Sequence, residues 1–285
     1  MMSKVKWGIL STASIAQRRV LPAMLQCEHA EIAAIASRSI EKAKAVAEKF
    51  NIPKIYGSYE ELFNDPEIEA VYNPLPNHLH AEWTIHAASH GKHVLVEKPI
   101  SRDVAEARRL LVARDTYKVK IGEAFMIRTH PQWVRGAALA RSGRIGELRS
   151  IVGYFSYFNV DPANTRNIVE DAGGALMDIG CYPIKTSRFV FGEEPTRVVG
   201  CFERDPNFKT DRLTSAILEF PSGQSIFTVS TQITYYQKMQ FFGTTGRIDI
   251  EIPFNAPTDK PARIFIDDGK DLYANGSAVL ESFPV

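Results

Sequence analysis

Cysteine is scarce in this chain: Cys27, Cys181 and Cys201 are the three among 285 residues. Odd in number and widely spaced, they suggest neither a disulfide framework nor a zinc cluster. They suit a reducing compartment, so a cytoplasmic location is expected. An excess of charge of one sign is lacking too. The formal net charge of +1 supplies no field for nucleic acid or an anionic membrane surface. No apolar run approaches the roughly 20 residues needed to span a bilayer, and Lys4 and Lys6 interrupt what would otherwise be a signal-like start. Repeats and low-complexity tracts are absent. What is present, 45% apolar and 24% charged residues, describes a globular protein with room for two domains.

Glycine is missing where it would be most diagnostic. Lys6–Leu10 reads as a strand and Ser14–Cys27 as the helix after it, bent by Pro22. The turn between them sits where a dinucleotide fold carries G-x-G-x-x-G/A, and only Ala16 fits that pattern. Ser11 and Ala13 stand at the first two glycine positions. Phosphate is held by backbone N–H groups and the positive end of the helix, so small residues can serve. Ser11, Thr12, Ala13, Ser14 and Ile15 are therefore candidates for a pyrophosphate. The second strand, Glu31–Ala36, ends in Ser37-Arg38-Ser39. An NAD site would place an acid there for the ribose 2′-OH. A hydroxyl and a guanidinium suit a 2′-phosphate instead, favouring NADP over NAD. Ser39 as a helix N-cap beside a solvated arginine is compatible with that reading.

Further alternation follows. Ile40, Ala43, Val46 and Phe50 give a helix its buried face. Lys54–Tyr56 is a short strand, and Ser58-x-x-Glu61 is a capping box. Ala70–Asn73 runs into the loop Pro74-Leu75-Pro76-Asn77, and Asn77 is a candidate cap for a helix from His78 to His90. His78 and His80, two apart, face different ways on such a helix and read as turn residues, not metal ligands. Val94-Leu95-Val96 is a buried strand ending in Glu97-Lys98-Pro99, with Ser101 as N-cap of a helix over Arg102–Lys118. A charged pair at that end of a buried strand lies where open α/β sheets bind ligands, although a strand end reaching solvent would look the same. Ile121–Phe125 closes a doubly wound parallel sheet. The expected domains are residues 1–123 and 124–285.

In the second half a helix through Trp133, Ala137 and Leu139 ends near Gly143. Leu148–Phe158, Thr196–Glu203, Leu213–Phe220, Ser225–Thr234, Lys238–Phe242 and Arg247–Ile250 are strand-like. Mostly unbroken by helices, they predict an α+β domain with a large, mainly antiparallel open sheet. One strong helix, Gly174–Phe191, carries Asp178 and Tyr182 four apart on one face, with Lys185 three further on. A buried phenol satisfied by a carboxylate and a proton-transfer residue with its orienting partner fit that spacing equally well.

These motifs, in this order, resemble the Gfo/Idh/MocA (glucose–fructose oxidoreductase/inositol dehydrogenase) family from residue 5 to about 250. The likeness rests on Glu97-Lys98-Pro99, the loop Asn73 to His78, Phe125 to His130, and Gly173 to Gly180. It implies an NAD(P)-binding Rossmann domain, then a sheet domain that lines the active site on one side and often mediates oligomers on the other, hence a homodimer or homotetramer. Lys98 inherits the catalytic centre; Glu97, Pro74, Leu75, Asn77 and His80 join the cofactor-binding residues. Many members carry Asp-x-x-x-His on the second helix; Asp178 followed by Tyr182 resembles instead the branch of glucose–fructose oxidoreductase, dimeric dihydrodiol dehydrogenase and NADP-dependent D-xylose dehydrogenase. Asn164-Thr165-Arg166 is similar to the xylose dehydrogenase group. The implied reaction is hydride transfer between NADP and a carbinol carbon of a sugar or cyclic diol, with no metal. Tyr182 is general acid/base assisted by Lys98, Asp178 orients substrate or lysine, and Asn164 and Arg166 meet substrate hydroxyls. A non-catalytic NADP-binding regulator of the same fold is the rival. The family's usual closing helix is not evident before the strand-like Ser282-Phe283-Pro284-Val285.

Overall fold

A computed structural model describes residues 4–270 and 279–283. The chain divides into two compact units, Met1–Ala124 and Phe125–Val285.

The first unit is a six-stranded parallel sheet of β1 (Val5–Leu10), β2 (Ala30–Ala36), β3 (Lys54–Tyr56), β4 (Ala70–Asn73), β5 (His93–Glu97) and β6 (Ile121–Ala124), in the order β3-β2-β1-β4-β5-β6. The order reverses between β1 and β4, which sets the ligand crevice of such sheets at the carboxyl ends of these strands. Helices α1 (Leu21–Leu25), α2 (Ile40–Phe50), α3 (Tyr59–Asn64), α4 (His80–Ser89) and α5 (Val104–Tyr117) connect them. Ile9, Leu10, Ile35 and Val71 are wholly buried, as expected of strands covered on both faces.

Three expectations need correction here. The first helix does not run uniformly over Ser14–Cys27: a π-turn, Ala16–Val20, precedes α1, which ends at Leu25. The widened turn sits just before Pro22, which has no N–H to continue an α ladder. The helix expected from His78 opens as a 3₁₀ turn, Asn77–Leu79, and becomes α-helical only at His80 with no side-chain cap. Ser101 does not cap α5. Asp103 does, accepting from the Glu106 N–H at 2.8 Å, while Glu106 reaches back to the Arg102 N–H at 2.9 Å. That reciprocal pair satisfies two donors at once, which a lone serine hydroxyl does not match.

The second unit carries α6 (Pro131–Arg141), α7 (Cys181–Phe191) and an eight-stranded sheet. Its strands are β7 (Leu148–Phe158), β8 (Arg197–Arg204), β9 (Asp211–Phe220), β10 (Gly223–Ser230), β11 (Gln232–Gly243), β12 (Arg247–Ile250), β13 (Ala262–Asp267) and β14 (Val279–Phe283). Their order is β14-β13-β12-β11-β7-β10-β9-β8. Every pairing is antiparallel except β10 with β7. One face packs on α6 and α7 through Trp133, Ile151, Phe227 and Phe241. The expected strands Ser225–Thr234 and Lys238–Phe242 divide elsewhere: the break falls at Thr231, and β11 runs through a register irregularity between Gln232 and Tyr236. Strand β13 was not foreseen. Of the strand-like C-terminus, Ser282 and Phe283 belong to β14, and Pro284 and Val285 lie outside the described residues. Among the described residues no helix is long and apolar enough to cross a membrane, and no cluster of His, Cys, Asp and Glu could hold a metal.

Candidate active site

In the first unit the turn after β1 answers the missing glycine directly. Ser11 adopts φ +62°, the left-handed conformation for which glycine is the usual residue. Its N–H donates to the Ala36 carbonyl at 2.8 Å, and its Oγ accepts from the Ala13 N–H at 3.3 Å. Gln17 secures the next residue by donating to the Thr12 carbonyl at 2.8 Å. The tight turn is therefore made, and Ser14 and Ile15 stand exposed at the start of the helix, where backbone N–H groups lack intrahelical partners.

At the end of β2, Ser37 is buried and its Oγ accepts from the Ser39 N–H at 3.2 Å, which leaves the hydroxyl proton free to donate. Arg38 is exposed, and its charge near Tyr59 opposes the burial that pushes that phenol up. Ser39 caps α2 through the Lys42 N–H. A carboxylate is absent from this position, so the residues fit a ribose bearing a 2′-phosphate better than a bare 2′-OH.

The loops after β4 and β5 are tied together by buried polar groups. Asn73 donates to the Thr84 hydroxyl at 3.1 Å and to the His80 carbonyl at 3.3 Å, and accepts from the Leu75 N–H. His80, 1% exposed, sets Nε2 2.6 Å from the Leu75 carbonyl and Nδ1 2.7 Å from that of Pro99. With a backbone carbonyl facing each ring nitrogen, His80 sits between Pro74-Leu75 and Lys98-Pro99, and its neutral ring donates to one of the two. Burial pulls its pKa down, and the Lys98 charge acts in the same direction. The Lys98–Pro99 bond is cis. Glu97 receives the Tyr72 hydroxyl at 2.6 Å and the Lys98 backbone N–H at 3.3 Å. Burial raises its carboxyl above the usual carboxylate range despite those donors. Glu123 fixes the following residue by accepting from the Ile100 N–H at 3.0 Å. Tyr72, wholly buried on β4, is the functional neighbour that the sequence conceals: on a buried strand a tyrosine reads as core.

In the second unit a π-turn, Leu176–Gly180, leads into α7. Asp178 on it is 7% exposed, and its Oδ2 accepts from the Tyr157 hydroxyl at 2.7 Å and Arg166 Nε at 2.8 Å. Burial, then the Asp178 charge, pushes the Tyr157 phenol well up. Tyr157 lies on β7 and was not singled out from sequence. The Asp178 charge raises the Arg166 pKa further. Asn164 accepts from the Arg166 N–H at 3.1 Å and so caps the short turn Thr165–Asn167. The double glycine explains itself here. A β-carbon on Gly173 would sit 2.4 Å from the Arg166 carbonyl, and Gly174, at φ +112°, donates to that same carbonyl at 2.8 Å. The ring of Tyr182, half-buried, lies among Phe125, Phe155 and Phe254 with centroids at 4.9, 5.5 and 4.9 Å. Three aromatic neighbours fix the ring.

A dinucleotide-type sheet with a modified phosphate turn, followed by a unit presenting an acid and a caged phenol, defines a two-domain NAD-binding oxidoreductase. Comparison with known proteins agrees. Residues 5–125 match the model of an oxidoreductase family with an NAD-binding Rossmann fold, and residues 133–249 match the GFO/IDH/MocA C-terminal domain. The chain belongs to the Gfo/Idh/MocA family. It is 49% identical over 274 residues to the uncharacterized oxidoreductase ORF334 of Rhizobium meliloti, covering 96% of this chain and 82% of that protein. It is 39% identical over 269 residues to D-xylose 1-dehydrogenase (NADP(+)) 2 of Haloferax volcanii, covering 93% and 81%. Among solved structures, KijD10, a 3-ketoreductase from Actinomadura kijaniata in complex with NADP and TDP-benzene, matches with TM-score 0.91 at 30% identity, over 99% of this chain and 85% of that one.

Proposed function

We propose that the chain is an NADP-dependent dehydrogenase acting on a carbinol carbon of an aldose or a cyclic diol. The observation that carries this reading is the caged phenol of Tyr182 on α7, four residues after the buried Asp178 on the π-turn that leads into that helix. NADP is named for both the Haloferax relative and the Actinomadura structure, and Ser37-Arg38 suits its 2′-phosphate. When bound, the nicotinamide supplies the hydride chemistry.

The chain then has one proton to manage. Tyr182 takes it from the substrate hydroxyl in oxidation and returns it in reduction. A free phenol, with a pKa near ~10, is too weak a base at neutral pH. The ammonium of Lys98 favours the phenolate and holds the substrate oxygen. Glu97, engaged by Tyr72, fixes the Lys98 main chain, and His80 fixes the next carbonyl. Backbone N–H groups from Ser11 to Ile15 take the pyrophosphate, while Pro74, Leu75 and Asn77 border the cofactor. Asp178 orients Arg166, which with Asn164 receives the remaining hydroxyls.

The same reading includes a homo-oligomer formed through the sheet of the second unit. Val199, Ile217, Ile226 and Val152 are register partners across β8, β9, β10 and β7, and all four are exposed. A contiguous apolar row of this kind favours burial against another copy. A cytoplasmic site of action accords with three free cysteines.

The deciding assay is NADPH formation from NADP, then NAD, over a panel of aldoses and trans-diols. Tyr182→Phe keeps the aromatic packing and is expected to lower kcat by at least about 100-fold, with NADPH binding, followed by fluorescence, unchanged. Wild-type turnover by that variant would overturn the assignment.

A further inference from the structure

The guanidinium of Arg166 is held along one edge only. Its Nε donates to Asp178, its main chain is fixed by Asn164 and Gly174, and the side chain remains 46% exposed. Among the described residues no hydrogen bond is made by its two terminal nitrogens. A guanidinium fastened through Nε still offers its other N–H donors as a planar fork.

An arginine in an open site ordinarily attracts anions. This one has its charge matched by a buried carboxylate at 2.8 Å, and Tyr157 adds a second donor to that same oxygen without adding charge. An anion docking on the fork would meet a guanidinium already compensated, so its desolvation would go largely unreturned. A hydroxyl pair loses little on transfer and gains two donors at fixed spacing.

We infer that Arg166 is a specificity-determining residue whose charge-compensated fork accepts a neutral vicinal diol and rejects a carboxylate or phosphate. The substrate class is thus an unphosphorylated, non-acidic sugar or diol. The inference rests on the dehydrogenase reading only for placing substrate at this fork. Selectivity comes from Asp178 as much as from Arg166, because the discrimination lies in what the arginine's charge is already doing.

The test uses the full chain with NADP. Values of kcat/KM for D-xylose and D-glucose are compared with those for D-glucuronate and D-glucose 6-phosphate, and binding of D-xylose and D-xylonate is measured by calorimetry independently of turnover. The wild type is expected to favour the neutral sugars by at least about 100-fold, the scale of a charged group left unpaired. Arg166→Lys keeps the charge but loses the fork; it should raise KM for the aldose by about 10-fold or more, with kcat moving less. Asp178→Asn uncovers the arginine, so the aldose-to-glucuronate ratio should fall by about 10-fold or more whatever the absolute rate. Tyr157→Phe leaves Asp178 charged and the guanidinium compensated, so it should leave that ratio within about two-fold of the wild type; should Asp178→Asn fold poorly, the wild-type comparison still decides. Parity of glucuronate or glucose 6-phosphate with the aldose in the wild type would overturn the inference, as would a ratio unmoved by a folded Asp178→Asn. Xylose binding that excludes xylonate, without NADPH formation, would overturn the dehydrogenase reading and sustain this one. Aldose turnover with equal affinity for xylonate would do the reverse.

Discussion

Each unit holds one carboxylate of the candidate site by the hydroxyl of a strand tyrosine, and the two pairs are set for different work. In the first, Tyr72 donates to Glu97 at 2.6 Å; in the second, Tyr157 donates to Asp178 at 2.7 Å. The geometry is nearly the same. The difference is Arg166, which bonds Asp178 directly, whereas among the described residues Glu97 receives only a backbone N–H besides its tyrosine. Burial accordingly wins at Glu97 and raises its carboxyl. A tyrosine hydroxyl steadies a carboxylate in place; a cation decides whether it stays charged.

Removing the charges should separate the two pairs most widely. Asp178→Asn is expected to lower turnover by about 100-fold and to cost about 1–2 kcal/mol of stability, discounted from a fully buried pair because Arg166 is half-exposed. Glu97→Gln retains an oxygen for Tyr72 and should cost less than about 1 kcal/mol. Paired thermal melts and kinetics would read both, and equal costs would break the contrast. Next come the tyrosines. Tyr72→Phe should destabilise by about 1–2 kcal/mol and Tyr157→Phe by less, because Asp178 keeps a second side-chain donor and Glu97 does not.

The pH dependence sharpens the contrast further. A carboxyl raised on folding binds its proton more readily in the folded state. Its contribution is therefore present in acid and lost as pH rises from the ordinary carboxylate range through the folded value. Denaturation of wild type against Glu97→Gln should show that loss in the wild type alone. Asp65 supplies the opposite sign as an internal control. Burial would raise it, but hydrogen bonds from Lys54, the Glu67 N–H and Tyr56 hold it at about 2, below its ordinary 3.8. Its contribution, at most about 2 kcal/mol, is complete above the ordinary value and is lost as pH falls towards 2. Asp65→Asn should flatten that acid limb and leave the Glu97 effect untouched.

Much of the scaffold was legible because period and capping are local. The strand alternation placed the parallel sheet, and Ser39 and Ser58 cap the helices they precede. What escaped was set by partners distant in sequence. Glu97 meets Tyr72 and Asp178 meets Tyr157 across separations of 25 and 21 residues, which no spacing rule reports. Ser11 hides a glycine-like conformation behind an ordinary side chain. The division at Thr231 falls inside a run of uniformly strand-favouring residues, where composition has no breakpoint to offer. His80 showed only that it belonged to the loop; the two carbonyls that claim its ring became visible with the fold.

The aliphatic row Val199, Ile217, Ile226 and Val152 carries a consequence in mass action. If those side chains are covered by a second copy, the folded second unit is linked to protein concentration, and each tenfold dilution from above towards the dissociation constant removes about 1.4 kcal/mol of apparent stability per dimer. The catalyst in a dilute cuvette and the catalyst at cellular abundance would then be different species, distinguished by how much of one sheet face still touches water.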